Sequence, residues 1–268
     1  MSPSQSSRDI VLVGAGNVAT HLAEALAPRI CAVFSRSRER ADALGRRIGV
    51  PGCSDFSRVA EFCPGTVIVS VADKAVAPVA AAIGAVPSRP LTVHTSGTVG
   101  MEYLTPVSDR VGVLYPLQTF SAGVPVDLCR VPFFTEAARE DDLACVDALA
   151  RLMSEHVHHA DAAHRRVLHI AGVFSSNFPN VLLECVERIL SPAGYPLDVV
   201  RPLIEATVAK AFEAGPHNAQ TGPARRGDYD VIRRQLVALP DELRPVYLVL
   251  SDLILESHGL ERCDRSKL

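Results

Sequence analysis

Several groups of residues in this chain have types and spacings suited to chemistry. The first is Gly14-Ala15-Gly16-Asn17-Val18-Ala19, directly after the apolar run Ile10 to Val13. Placed between a strand and a helix, such a Gly-x-Gly-x-x-Ala turn holds a dinucleotide. Gly14 permits the tight turn, Gly16 lets the backbone approach a pyrophosphate on the helix N-terminus, and Ala19 keeps helix and strand close. Asn17 and Val18 belong to the same cofactor-binding turn. Roughly twenty residues later an NAD site would carry a carboxylate for the ribose hydroxyls. This chain instead has Ser35-Arg36-Ser37-Arg38. A guanidinium flanked by hydroxyls suits a 2′-phosphate through charge-assisted hydrogen bonds, so the expected cofactor is NADP.

Two further loops follow apolar strands, where open α/β sheets bind ligands. Ala72-Asp73 ends the run 66–71, and Thr95-Ser96-Gly97 follows Leu91 to His94. Both are expected at the nicotinamide end, with Gly97 allowing close backbone approach and the hydroxyls bonding carboxamide or substrate. Lys74 reads as the solvated start of a helix, and His94 as a hydrogen-bonded structural histidine. Gln118 and Thr119, beyond the strand 111–114, are expected to face the same crevice as substrate-binding groups.

Another constellation lies on a helix starting near Asp161. At about 100° per residue, Ser176 and Asn180 fall within roughly 20° of His169 and Asn177 within roughly 80°. Pro179 cannot donate to the Ser175 carbonyl, so the helix is expected to kink there. Histidine titrates near working pH, which makes His169 the expected catalytic general acid or electrostatic partner. Asn177 would orient the substrate and Ser176 would bind it. In Thr221-Gly222-Pro223-Ala224-Arg225-Arg226, a break between helices, Thr221 and Arg226 are expected to bind a substrate carboxylate. His156, His158 and His159 lack a carboxylate or cysteine near enough to complete a metal site, so no metal is expected.

The elements that must position these groups alternate strand and helix up to about residue 159. Strands are expected at 10–13, 30–34, 66–71, 91–94 and 111–114, with helices at 17–26, 38–48, 75–84 and 139–155. Val131 to Phe134 is expected as a last strand at the sheet edge, because Pro132 excludes a central position. From about residue 160 the apolar pattern is helical throughout. The fold expected is an α/β domain with a mostly parallel sheet over 1–159, followed by an all-α domain over 160–268.

The bulk composition narrows the class. The chain has 268 residues, 48% of them hydrophobic, and a formal charge of only −3, so a nucleic-acid partner is not expected. No apolar run is long enough for a bilayer. The seven cysteines are scattered and lack any Cys-x-x-Cys pair. They read as reduced thiols in a soluble cytoplasmic protein. Residues 1–8 are polar and expected to fray.

Taken together, Gly14 to Ala19, Val93-His94-Thr95-Ser96-Gly97, Tyr115-Pro116-Leu117-Gln118-Thr119-Phe120, His169 with Ser176-Asn177-Phe178, and Thr221-Gly222-Pro223 with Arg226-Gly227-Asp228 give a resemblance over nearly the whole chain. It resembles the uncharacterised bacterial oxidoreductases that join a Rossmann-like domain to a helical domain of unknown function, relatives of ketopantoate reductase, pyrroline-5-carboxylate reductase and deazaflavin-dependent NADP reductases. The resemblance implies an NADP-binding domain followed by a substrate domain similar to the C-terminal part of 6-phosphogluconate dehydrogenase, dimerising through its helices. In ketopantoate reductase and the hydroxyacid dehydrogenases the corresponding helix carries a lysine and two asparagines. By position His169 stands for the lysine, Val173 for the first asparagine and Asn177 for the second. The function expected is hydride transfer between NADP and a C=O or C=N group of a small carboxylate. The alternatives are a non-catalytic NADP(H)-binding regulator or assembly protein, and a flavin- or deazaflavin-linked NADP reductase.

Overall fold

The structure, a computed structural model, describes residues 8–265, so most of the polar N-terminal stretch expected to fray lies outside the described residues. The chain divides into two compact units, one ending at Ser176 and the other starting at Asn177.

The first unit is built on an eight-stranded sheet. Its strands are β1 (Ile10–Val13), β2 (Ile30–Phe34), β3 (Gly52–Cys53), β4 (Thr66–Val69), β5 (Leu91–His94), β6 (Val111–Pro116), β7 (Phe133–Ala137) and β8 (Val157–His159). They lie in the order β3-β2-β1-β4-β5-β6-β7-β8. Every pairing is parallel except β6 with β7. All four β1 residues are fully buried, which is why the segment reads as a continuous apolar run rather than an alternating one. Ile10 and Leu12 pack on one face with Leu22 and Val146, whereas Val11 and Val13 pack on the other with Val76 and Val79. Helices α1 (Asn17–Ala25) and α4 (Glu140–Arg151) thus cover one side and α3 (Val76–Ile83) the other, with α2 (Arg38–Ile48) between β2 and β3. The expected α/β architecture holds, with the short β3 as an addition.

One expectation is corrected. β7 is not an edge strand, because β8 pairs beyond it and takes the edge. Pro132 precedes the first paired residue, so its missing N–H removes no ladder bond, and its carbonyl accepts from the Leu117 N–H at 2.9 Å. On the edge itself His158 stacks on Phe134 with ring centroids 5.5 Å apart, and His159 Nε2 lies 2.8 Å from Asp147.

Helix α5 (Ala162–Gly172) belongs to the first unit, so the division falls after Ser176 rather than at the expected 159/160 boundary. Asp161 caps the helix, accepting from the His164 N–H at 2.9 Å. The physical reason for the later boundary is Arg165, whose side chain is fully buried. Its Nη1 pairs with Glu136 on β7 and donates to the Ala160 carbonyl at 3.1 Å, and its Nη2 donates to the Val99 carbonyl at 3.2 Å. The interruption expected at Pro179 takes the form of a π-turn over Val173–Asn177, after which α6 (Phe178–Leu190) starts with Pro179 in its first turn.

The second unit continues with α7 (Arg201–Ala214), the short α8 (Pro216–Ala219) and α9 (Pro223–Arg226), then α10 (Tyr229–Ala238) and α11 (Arg244–Ser257). A small core forms around Ala224, Ile232, Leu255 and Cys263. By contrast, α6 and α7 bury no residue, and Phe212 is 90% exposed. Among the described residues no helix is long and apolar enough to cross a membrane.

Removing the buried guanidinium alone strands the Glu136 carboxylate. Arg165→Met is expected to destabilise the first unit by about 3 to 5 kcal/mol in urea unfolding, and the double change with Glu136→Met to recover most of that loss.

Candidate active site

The sheet order reverses on either side of β1, and a crevice must open beyond the carboxyl ends of β1 and β4. Gly14 lies at its base with φ +133°, and a Cβ there would sit 1.9 Å from the Ser70 carbonyl oxygen. Only glycine fits. Gly16 differs: a Cβ there would meet nothing within 4 Å, because its α-carbon borders open space. That space is part of a cavity of about 490 Å³.

Most of the expected cofactor residues line this cavity: Gly14, Gly16, Asn17 and Val18 from the glycine turn, Ser35 and Arg36 after β2, Ala72 and Asp73 after β4, and Thr95, Ser96 and Gly97 after β5. Gln118 and His169 line it as well. Ala19 is instead fully buried in the core, in the packing role its small size suggested. Ser37 does not line the cavity: its hydroxyl accepts from the Arg40 N–H at 3.2 Å and caps α2. Thr119 also stands outside the lining, its Oγ1 lying 2.6 Å from Ser176 Oγ. Asn177 is an exposed residue at the end of the π-turn, and Thr221 and Arg226 are exposed in the second unit.

Fit to a phosphorylated dinucleotide can be judged from these groups. The open face of Gly16 admits a pyrophosphate at the α1 N-terminus. Arg36 and Arg40 both line the cavity, and neither is paired with a carboxylate among the described residues. Arg38 is spent elsewhere, on Asp42 at 2.8 Å. Arg40 is absent from the residues expected on sequence grounds, although it lies four residues after Arg36. The signal available was the start of α2: a cation in the first helical turn, close to the capping serine, is held near the β2 loop.

At the opposite end of the lining stand Asp73, Ser96, Tyr115, Gln118 and His169. Asp73 is held by the Thr98 hydroxyl. Ser96 Oγ accepts from the Thr98 and Val99 N–H groups, each at 3.1 Å, so this serine shapes the loop. Tyr115, the last residue but one of β6, is the main site residue to which the sequence assigned no role. Its ring packs so closely on Gly97 that a Cβ there would come within 2.7 Å of it. Its hydroxyl lies 3.3 Å from His169 Nδ1. Burial, aided by the Asp73 charge, pushes the Tyr115 phenol above its usual pKa, so it stays protonated. His169 is itself exposed, so the pair connects the cavity wall to solvent.

His94 lies behind this end and is fully buried. Its Nδ1 accepts from the Ser96 N–H at 3.2 Å, in keeping with the structural role expected of it. Desolvation, with help from the Arg165 charge, pulls its pKa down to about 4. It therefore stays neutral at ordinary pH and supports the Ser96 loop as an acceptor.

Comparison with known proteins agrees with this geometry. Residues 131–254 match the family described as Domain of unknown function (DUF2520). A crystal structure from Bacteroides fragilis, provisionally described as an NADP oxidoreductase, is 37% identical, covering 94% of this chain and 100% of that one with a TM-score of 0.84. The chain belongs to this family of Rossmann-type NADP oxidoreductases. A protein of Thermotoga maritima is 22% identical over 93% of this chain and 99% of that one, TM-score 0.76. A reductive aminase of Aspergillus terreus, solved with NADPH and ethyl levulinate, is 13% identical over 97% of this chain and 98% of that one, TM-score 0.68. At those identities the last two show the fold alone. No curated protein matches. The glycine turn, Arg36 and Arg40 line the cavity here with chemistry that fits NADP.

Two variants separate the parts of this site. Gly16→Val is expected to abolish NADPH binding in a fluorescence titration while leaving the melting temperature near that of the parent, since a Cβ at this position meets no protein atom within 4 Å. Arg36→Asp is expected to shift the NADPH-to-NADH affinity ratio by roughly tenfold to a hundredfold, the scale of one charge-assisted hydrogen bond.

Proposed function

We propose that this NADP oxidoreductase transfers a hydride between the nicotinamide and a C=O or C=N carbon of a small carboxylate substrate. The observation that carries this reading is the 3.3 Å contact between the Tyr115 hydroxyl and His169 Nδ1 at the cavity wall. Bound NADPH would supply the hydride, and the protein must supply one proton, to the carbonyl oxygen as charge develops there or to a neutral imine nitrogen before the hydride arrives. A buried phenol joined to an exposed imidazole is suited to that proton transfer. Tyr115 donates inside the cavity, and His169 restores its proton from solvent. Among the described residues Asp73 is the one carboxylate lining the cavity, which favours an imine that becomes cationic on taking its proton from Tyr115 over a carbonyl whose oxygen becomes anionic. For Asn177, Ser176, Thr221 and Arg226 the roles proposed remain those of hydrogen bonding and carboxylate binding.

A homodimer formed through the helical unit and a cytoplasmic location complete this reading. The apolar side chains Val181, Ile189, Leu203, Val208 and Phe212 on α6 and α7 are exposed, as is expected of helices that bury their faces against a second copy. The seven thiols are all free, which suits a reducing compartment.

The decisive experiment follows NADPH oxidation against a panel of 2-oxo acids and cyclic imines. With a substrate found, His169→Ala and Tyr115→Phe are each expected to lower kcat by about a hundredfold to ten-thousandfold while NADPH affinity changes little. NADPH binding without oxidation by any member of the panel would instead support a regulator or assembly protein. Light scattering gives the assembly state, where Phe212→Asp is expected to yield monomers.

A further inference from the structure

The loop 117–127 carries Gln118 and Phe120 into the lining of the cofactor cavity. Two side chains of α1 hold it there. Asn17 Nδ2 donates to the Phe120 carbonyl at 3.0 Å. One helical turn later His21 is only 9% exposed, its ring centroid 5.0 Å from that of Phe120. Its Nδ1 lies 2.9 Å from the Asn17 carbonyl oxygen and its Nε2 lies 3.0 Å from the Val124 carbonyl oxygen. Carbonyl oxygens only accept. A neutral imidazole has a single N–H and can satisfy one of these contacts, whereas an imidazolium donates to both.

We infer that His21 is a positioning residue for NADP binding. In its protonated form it straps the 117–127 loop to the first turns of α1 and holds Gln118 and Phe120 at the cavity. Losing one proton removes one of its two carbonyl bonds and loosens the strap. The inference rests on the cofactor site and is independent of the substrate and reaction proposed above.

The charged groups around His21 are few. Glu24 on α1 and Arg47 on α2 border the neighbouring hollow of about 290 Å³, and they pair with each other. From 117 to 126 the loop has no ionisable side chain. Asp127, which closes it, accepts from the Cys129 N–H at 3.2 Å. The geometry alone sets the sign: only the ring carrying both protons donates to both carbonyls, so adding the proton secures the strap and removing it releases one contact.

The test measures NADPH affinity by fluorescence from about pH 5.5 to 8.5, across the imidazole range, for the parent and for His21→Gln. Glutamine keeps one N–H for the Val124 carbonyl at every pH. The readout is the ratio of variant to parent Kd, which cancels any pH dependence that does not arise at residue 21. At the acid end the ratio is expected to be about threefold to tenfold, the scale of one charge-assisted hydrogen bond partly offset by solvent. It is expected to fall toward one at the alkaline end. Hydrogen exchange in the 117–127 segment without NADPH provides the second readout, corrected for intrinsic exchange. Parent protection is expected to drop across the interval, and His21→Gln protection to stay level. A Kd ratio that does not vary with pH, or parent protection that does not fall, overturns the inference. If NADPH failed to bind at all, the cofactor site would be refuted and the exchange measurement would still decide the strap.

Discussion

The end of the cavity lined by Tyr115 and His169 depends on one buried cation. Arg165 enters the first unit from α5 and finds Glu136 on β7, the Ala160 carbonyl beyond β8 and the Val99 carbonyl after β5. An unpaired guanidinium in that position would be very costly to desolvate, so the three acceptors leave α5 few alternative placements. His169 follows one helical turn later, on the stretch thus anchored, and meets the Tyr115 hydroxyl. The charge that fixes α5 also helps keep His94 neutral, which suits His94 to support the Ser96 loop.

At the cofactor end the constraint is steric rather than electrostatic. β1 and β4 run side by side, and the chain must turn away from β1 directly against the Ser70 carbonyl. A glycine with positive φ at position 14 permits that approach. The open face of Gly16 then leaves backbone N–H groups of α1 accessible to phosphate. Positive charge is concentrated at one end, where Arg36 and Arg40 stand without carboxylate partners among the described residues, while Asp73 lies at the other.

Most of the fold was legible because its signals are local. The apolar runs at β1, β4 and β5 are buried on both faces, the glycine turn follows one of them, and Asp161 caps the helix expected to start near it, whereas Ser37, expected at the cofactor, caps α2 instead. Pro132 misled the expectation for β7 because a proline just before a strand and a proline within one look alike in sequence. Arg165 and Arg166 are equally uninformative as a pair, yet only the first is fully buried. Tyr115 and Arg40 acquired their roles through neighbours distant along the chain or around a helical turn.

By itself the sequence determined most of the order of strands and helices, the glycine turn and the loop that brings Arg36 to the cavity, since each depends on residues close together in the chain. Tertiary structure alone decided which arginine is buried, which loop is strapped to α1 and which phenol faces His169. Those contacts join residues dozens of positions apart, and packing, rather than local propensity, selects them.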